Sequence, residues 1–554
     1  MIWSAPVFTQ PLAPVSGSLS WSALVAALPL VVLFVLLGVF RIRAWLASLV
    51  GLAGSLLVGV LVYGMPTGQA FSSAAEGIAF GLFPAMWIVV NAIWIYRMTV
   101  RTGHFDVLRR SFGSISDDFR VQAIIIAFAF GALLEALAGF GAPVAICSVM
   151  LVALGLQPLK AASVALVANT APVAYGAVAL PVITLSRITG VPLDDVAAMT
   201  GRQVPFLAVI VPFVLLGLLD GRRGLREAWP AALVAGLTFG IAQYLMANYG
   251  PVQLVDIVAS LVSAGAVLVL VRTWRPASGS RAVDGTGEPG LAVATGGGPG
   301  TAEATHADPK IDVARAFAPY AVIIVLFAIV AVPAVTTALS SVTKSFAWPG
   351  LHVLTSAGKP LSLATFKFDW LVNSGTVLLV AGLLSVLLLG LRPGDAVRCY
   401  GQTLRQLGGA ILTVICVLGM AYVLNLSGQT ATLGQFLAGA GGLFALLSPV
   451  LGWFGTAVTG SDTSSNSLFG LLQVSAAQHT GMAPVLAAAG NTSGGVLGKM
   501  LSPQNLAVGA SAVGLAGREG DLLRRVLVAT LIFLPLMCVL VYLQSTPVLG
   551  WMVP

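Results

Sequence analysis

Charge is what this 554-residue chain has least of: 9% of its residues are Asp, Glu, Lys or Arg, against 58% hydrophobic. That balance excludes a soluble globular protein. With several apolar runs of about 20 residues, it implies a polytopic membrane protein. The four cysteines, Cys147, Cys399, Cys416 and Cys538, lie far apart without a CxxC pair, which removes a disulfide or thiolate–metal framework. Histidine and glutamate are too scarce for a metal centre, and no cofactor is expected. The first twenty residues hold no Lys or Arg, so the apolar run 21–40 lacks a signal-peptide n-region and reads as a retained span. The net charge of +8 is spread through loops, with no basic stripe or aromatic-interleaved patch for nucleic acid.

The most telling gap runs from Arg405 to Lys499, where no other Lys or Arg occurs. Inside it, residues 456–505 are crowded with Gly, Ser, Thr and Asn, and their only charges are Asp462 and Lys499. Irregular backbone within a bilayer is tolerated where it is covered by protein or lines a watery cavity. A weaker copy of the stretch lies at 135–181. Asn169, Thr170, Gly176 and Pro181 recur as Asn491, Thr492, Gly498 and Pro503 at an offset of 322, and Gly139 recurs as Gly460 at 321. Paired Gly-interrupted apolar segments in two halves point to a transporter's binding site. Chance likeness between Gly- and Ala-rich helices is the plainer explanation, but identities at fixed spacing after the same kind of turn favour duplication.

Candidate spans are 21–40, 44–63, 78–99, 159–183, 203–220, 229–247, 252–271, 316–338, 372–391, 406–426, 484–503 and 526–545. The stretches 121–157 and 444–479 each carry a polar or Gly-rich break and read as re-entrant hairpins. Each follows a short amphipathic piece, 105–113 or 430–438, of interfacial type. Placing Arg41 and Arg43 in the cytoplasm puts Arg187, Arg202, Lys344, Lys359 and Lys367 outside, Lys499 in the membrane, and the rest of the 28 Lys and Arg inside. The loop at 97–120 is then cytoplasmic and its counterpart at 427–434 external, so the halves are inverted. The expected fold is an all-α polytopic membrane protein of about 12 transmembrane helices plus two re-entrant hairpins in an inverted-topology repeat. Residues 276–309, rich in Gly, Ala, Pro and Thr, read as a disordered cytoplasmic loop in which His306 is solvated. In the external loop 339–371, the run from Phe366 to Trp370 (FKFDW) reads as an aromatic anchor, with substrate access as the lesser alternative.

The turn from Gly139 to Pro143 (GFGAP) ends one helical arm and sets Pro143 in the first turn of the next. Gly460, Ser461, Asp462, Thr463 and Ser464 offer caps to a second arm starting near Ser465. Both arms would aim an N-terminus, with unpaired N–H groups and a positive dipole end, at mid-membrane, where it would bind an anion. The Asn169-Thr170 and Asn491-Thr492 pairs would break their helices at the same depth and contact a small polar solute. For the glycines, including Gly141, close helix packing is an equal explanation. Glu135, Asp462 and Lys499 are intramembrane ionisable groups and default to function. Lys499 would attract a carboxylate or pair with Asp462. Glu135 and Asp462 are candidate proton carriers, Asp462 being equally readable as a helix cap. Arg202 reads as a solvated anchor. A membrane serine hydrolase using Ser461 and His479 is the rival from another class, but it has no third partner.

These residues resemble the bacterial L-lactate permease family, which includes the glycolate permeases. The likeness rests on Glu135 to Pro143 (EALAGFGAP), Asn169 to Gly176 (NTAPVAYG), Gly201 to Gln203, FKFDW, Thr459 to Asn466 (TGSDTSSN) and Gly494 to Gln504 (GGVLGKMLSPQ). It runs from about residue 20 to the C-terminus and is weakest in 276–309 and 339–371. The resemblance implies proton-coupled symport of L-lactate and related 2-hydroxy monocarboxylates, such as D-lactate and glycolate, across the inner membrane. The alternative within the class is a sodium-coupled carboxylate carrier. The hairpin layout also looks like the wider ion-transporter superfamily, which implies a homodimer with scaffold and transport parts. By that analogy 1–20 is external, 21–120 and 220–275 are scaffold, and 276–315 is the disordered loop. Residues 316–429 are then second-repeat scaffold, 121–219 and 430–520 transport segments, and 521–554 a C-terminal helix. The expected substrate contacts are Gly139, Gly141, Asn169, Thr170, Gly460, Ser461, Thr463, Ser464, Asn491, Thr492 and Lys499, with Glu135 and Asp462 for the proton. The expected partners are a small carboxylate anion, protons and the lipid bilayer.

Overall fold

A computed structural model of the chain describes residues 7–554 apart from Ser114, Asp117, Phe140, Arg275 and 277–308. The loop expected to be disordered, with His306, therefore lies outside the described residues. Among those described, 11 helices are long and apolar enough to cross a membrane, or 12 if the bent pair 158–168 and 173–189 is one span. Helix is the required answer to these sequences, because an apolar segment in lipid must satisfy every backbone group within itself.

Every expected span contains helix, but the set differs from the expected one: Phe119–Leu137 and Gly441–Thr459, expected as arms of re-entrant hairpins, are long enough to cross, whereas Ser374–Leu388 and Pro484–Gly498 are shorter. The span expected at 316–338 is a helix at Lys310–Val330 followed by a separate one at Pro333–Ser340, none of whose residues is buried. Pro333 has no N–H to continue a ladder and suits the start of a helix instead. The piece expected at 105–113 is a helix at His104–Gly113. Its apolar face meets protein rather than lipid: Phe105, Leu108 and Phe112 are buried, and the Phe112 ring lies 4.9 Å from that of Phe130.

The loop 339–371 contains a small antiparallel sheet, Lys344–Ala347 against Thr365–Phe368, with Lys344 opposite Phe368. The first three residues of FKFDW thus end a strand, and Phe366 packs on Trp348 at 5.3 Å between ring centres. Phe8–Thr9 pairs in parallel with Val353–Leu354, and Gln10 Nε2 donates to the carbonyls of Asn425 and Leu426 at 2.7 and 3.0 Å. The first described residues, the 339–371 loop and the end of helix Pro393–Ser427 therefore share one face. That is the grouping the distribution of positive charge requires.

Two runs of elements repeat in order. The first comprises a short helix at 104–113, a helix–turn–helix of Phe119–Leu137 and Ala142–Ala153, and a broken helix of Pro158–Ala168 and Gly176–Thr189. The second comprises Gln429–Ala438, Phe444–Thr459 with Asp462–Thr480, and Pro484–Gly498 with Pro503–Ala512. The repeats interlock: helix 142–153 packs on 503–512, and helix 462–480 packs on 176–189. The two helix–turn–helix tips are thereby brought to one place.

Candidate functional site

The first tip is turned by Gly139 (φ +50°) and Gly141 (φ +82°), and the second by Gly460 (φ +77°), a region of backbone space that glycine enters without penalty. Beyond each turn a helix begins. Gly141 caps the first with Pro143 in its opening turn, and Ser461 caps the second, accepting from the Ser464 amide at 3.3 Å. The second arm therefore starts at Asp462, three residues earlier than the sequence suggests. Asp462 is inside the first turn rather than the cap. The tips meet residues 503–505: Asn505 donates to the Gly460 carbonyl at 3.4 Å, and a side chain on Gly141 would press on Asn505.

Here a cavity of about 460 Å³ opens, inside the range of roughly 300–1,000 Å³ usual for ligand pockets. Of the residues singled out from sequence, Glu135, Gly139, Gly460, Ser461, Asp462, Thr463, Ser464 and Lys499 line it. Among the described residues, the hydroxyls of Thr463 and Ser464 have no protein hydrogen-bond partner and are available to a ligand. Helix 462–480 turns its N-terminus into the cavity, a position that favours an anion.

The other five stand behind the wall. Asn169 donates to Glu135 Oε2 at 3.0 Å, Thr170 bonds the Val167 carbonyl of its own helix, and Gly141 faces Asn505. Thr492 donates to Asp462. Asn491 donates to Asn466 Oδ1 at 2.8 Å and accepts from Gln473 at 2.6 Å. The first Asn-Thr pair does break its helix: Asn169 ends helix 158–168, and the next axis is bent by 65°. The second does not, because Asn491 and Thr492 lie inside the continuous helix 484–498, whose break comes later, at Lys499–Ser502. The nearby glycines serve packing there. A side chain on Gly494 would overlap the Pro449 backbone, and one on Gly452 the backbone of Asn491.

Lys499 pairs with Glu135 of the other repeat, not with Asp462. Both groups are buried and both reach the cavity wall. Gly176 makes room for the acid, since a Cβ there would stand 2.8 Å from Glu135 Oε1. Directly after it, Ala177, Val178 and Ala179 run at φ +45°, +59° and +62°, three consecutive side-chain-bearing residues in the left-handed region. Such residues cost roughly 1–3 kcal/mol each and gather at functional sites. Asp462 accepts from Thr492, from Thr456 at 3.4 Å and from Asn466 at 3.4 Å, so its carboxylate is held by neutral donors.

Sequence reasoning missed several members. Arg41 and Arg43, taken as markers of sidedness, line the cavity, and so do Gln504 and Asn505. Asn466 joins both Asn491 and Thr492 to the Pro181 carbonyl at 3.1 Å. An amide in an otherwise Ser- and Thr-rich helical turn was the available signal. Arg202 is half-buried and bonds Asn248 at 2.9 Å and the Met552 carbonyl at 2.7 Å. Ser461 and His479 sit at opposite ends of helix 462–480, roughly 27 Å apart at the rise of an α-helix, which removes the hydrolase alternative.

A mostly helical, multi-pass chain whose two interlocked repeats meet at a cavity carrying charged and hydroxyl side chains defines the class of membrane carriers. The family model described as L-lactate permease matches residues 22–548, and the chain belongs to that family. It is 40% identical to the L-lactate permease of Bacillus subtilis (strain 168), over 99% of this chain and 100% of the relative. It is 41% identical to the Glycolate permease GlcA of Escherichia coli (strain K12), over 99% of each, and 39% identical to that organism's L-lactate permease, over 97% and 98%. Among solved structures, the Alcanivorax borkumensis YdaH transporter aligns over 98% of this chain and 100% of its own at 14% identity. The TM-score of that alignment is 0.43. The family and the apolar spans make this a multi-pass membrane permease, not an enzyme, with helical spans of the kind found in bacterial inner membranes.

Proposed function

We propose that the protein is a symporter that takes up L-lactate and related 2-hydroxy monocarboxylates together with protons. The relatives' names support the substrate class, and the buried Lys499–Glu135 pair in the cavity wall carries the coupling. As it stands the pair is neutral. Taking one charge from a buried pair is costly, because the other is left uncompensated. A proton on Glu135 frees the Lys499 ammonium, and a monocarboxylate arriving at that ammonium restores neutrality. Either event alone is penalised and the two together are not, which is symport.

The substrate carboxylate takes its remaining hydrogen bonds from Thr463, Ser464 and the first N–H groups of helix 462–480. Asn169 stays on Glu135 and holds it in place once Lys499 has turned away. The helix–turn–helix units act as re-entrant hairpins within moving segments 121–219 and 430–520, against a scaffold formed by the other spans. Purified protein in liposomes, given radiolabelled L-lactate, should accumulate it under an inward proton gradient and not under a sodium gradient. Glu135→Gln should lose that accumulation and keep lactate–lactate exchange. Accumulation driven by sodium, or undiminished in Glu135→Gln, would defeat the reading.

A further inference from the structure

Helix 176–189 lines a second cavity at its far end. Gly176, Ala177, Leu180 and Pro181 face the central cavity, whereas Ile183, Ser186 and Arg187 face one of about 710 Å³ on the side of the external sheet. Arg187 pairs there with Asp369, the acid of FKFDW, and Lys367 stands on the same wall. Lys367 makes no ion pair among the described residues. Two cations face one carboxylate, leaving the cavity one positive charge in excess, which a single monocarboxylate balances.

Asp369 has a second donor, Asn373 Nδ2 at 3.4 Å, and Asn373 is itself fixed by accepting from the Gly375 amide at 2.8 Å. The acid thus keeps a partner if its arginine leaves. The Arg187 side chain is 29% exposed, so its guanidinium is within reach of solutes in the cavity, whereas that of Asp369 is 9% exposed. A guanidinium prefers bidentate carboxylate partners, and an incoming acid anion has the same head as the one Asp369 presents.

We propose that this outer cavity is a loading site for small monocarboxylates, in which Arg187, supported by Lys367, exchanges Asp369 for the substrate carboxylate. Asp369 is the placeholder that occupies the arginine when no substrate is there. Because Arg187 sits in the last turn of the helix whose other end borders Glu135, occupation of the outer site acts on the same helix as the central one. The substrate identity rests on the lactate-carrier reading; the site itself does not.

The test compares right-side-out and inside-out vesicles. Arg187→Gln should raise the KM for external lactate by at least about tenfold, the scale of one hydrogen bond to a charged group, and raise the KM from the opposite face much less. Lys367→Gln, at an exposed position, should raise external KM by a few-fold. Asp369→Asn should lower it. In a background without the native cysteines, Ser186→Cys should be shielded from an impermeant thiol reagent by external lactate, and the shielding should vanish with Arg187→Gln. Equal KM changes from both faces, or shielding unaffected by Arg187→Gln, would overturn the proposal. Should the unaltered protein move no lactate, the substrate reading falls, and shielding by acetate or glycolate still decides the cavity. If Arg187→Gln fails to insert, Arg187→Lys and Lys367→Gln give the same decision.

Discussion

Lys499 and Glu135 are 364 positions apart in the chain and meet in the wall of one cavity. Removing one partner of a buried pair costs about 3–5 kcal/mol, while replacing both by neutral groups of similar size is nearly neutral. Lys499→Met should therefore lower the thermal midpoint in detergent markedly, and Lys499→Met with Glu135→Gln should recover most of the loss. Lactate transport should be absent in both, and a double-mutant cycle on the unfolding midpoint measures the coupling. Glu135, Asp462 and Lys499 stood out in the sequence because a bilayer tolerates so few charges, whereas Glu76 and Asp256, just as buried in their helices, were not singled out. The pairing of Lys499 with Glu135 was not visible. Lys499 had Asp462 nearer in sequence, and only the interlocking of the two repeats brings Glu135 closer in space.

At the scale of the helix, the duplicated Asn-Thr pairs have different fates. Asn169 ends a helix, while Asn491 sits inside one, tied by Asn466 and Gln473. The spacing of polar and small residues is the same in both copies, so it cannot tell a break from a contact face. What decides is the neighbour. Helix 444–459 lies against 484–498 so closely that Gly452 and Gly494 have backbone where a Cβ would go. Gly494→Ala should cost at least about 1–3 kcal/mol of stability by overpacking. Gly401, in the long helix 393–427 with nothing within 4 Å of a Cβ, is the contrasting case. Gly401→Ala should be neutral or stabilising by up to about 1 kcal/mol, and melting of the two purified variants separates the outcomes. Apolar length made the spans legible from sequence. The small sheet at 344–347 and 365–368 was not, because short strands among polar loop residues leave almost no periodic trace.

For the whole molecule, the two cavities lie at opposite ends of helix 176–189. The central one is lined by the exposed Arg41 and Arg43, which the distribution of positive charge in the sequence assigns to the cytoplasmic side. A cysteine at Thr463 should therefore react with an impermeant reagent from the cytoplasmic face, be protected by lactate, and react much more slowly from outside. Comparable reaction from outside in the resting protein would contradict this sidedness. The left-handed run at 177–179, with β-branched Val178 at its centre, lies in the stretch of helix 176–189 that borders the central cavity. Residues of this kind hold such a shape because their neighbours insist on it, and the neighbour here, beyond Gly176, is the acid proposed to take the proton. On the proposed coupling, a hydrogen nucleus reaching that acid would land beside a bent stretch of chain kept in shape by its surroundings alone, so the first thing to feel its arrival would be the run at 177–179.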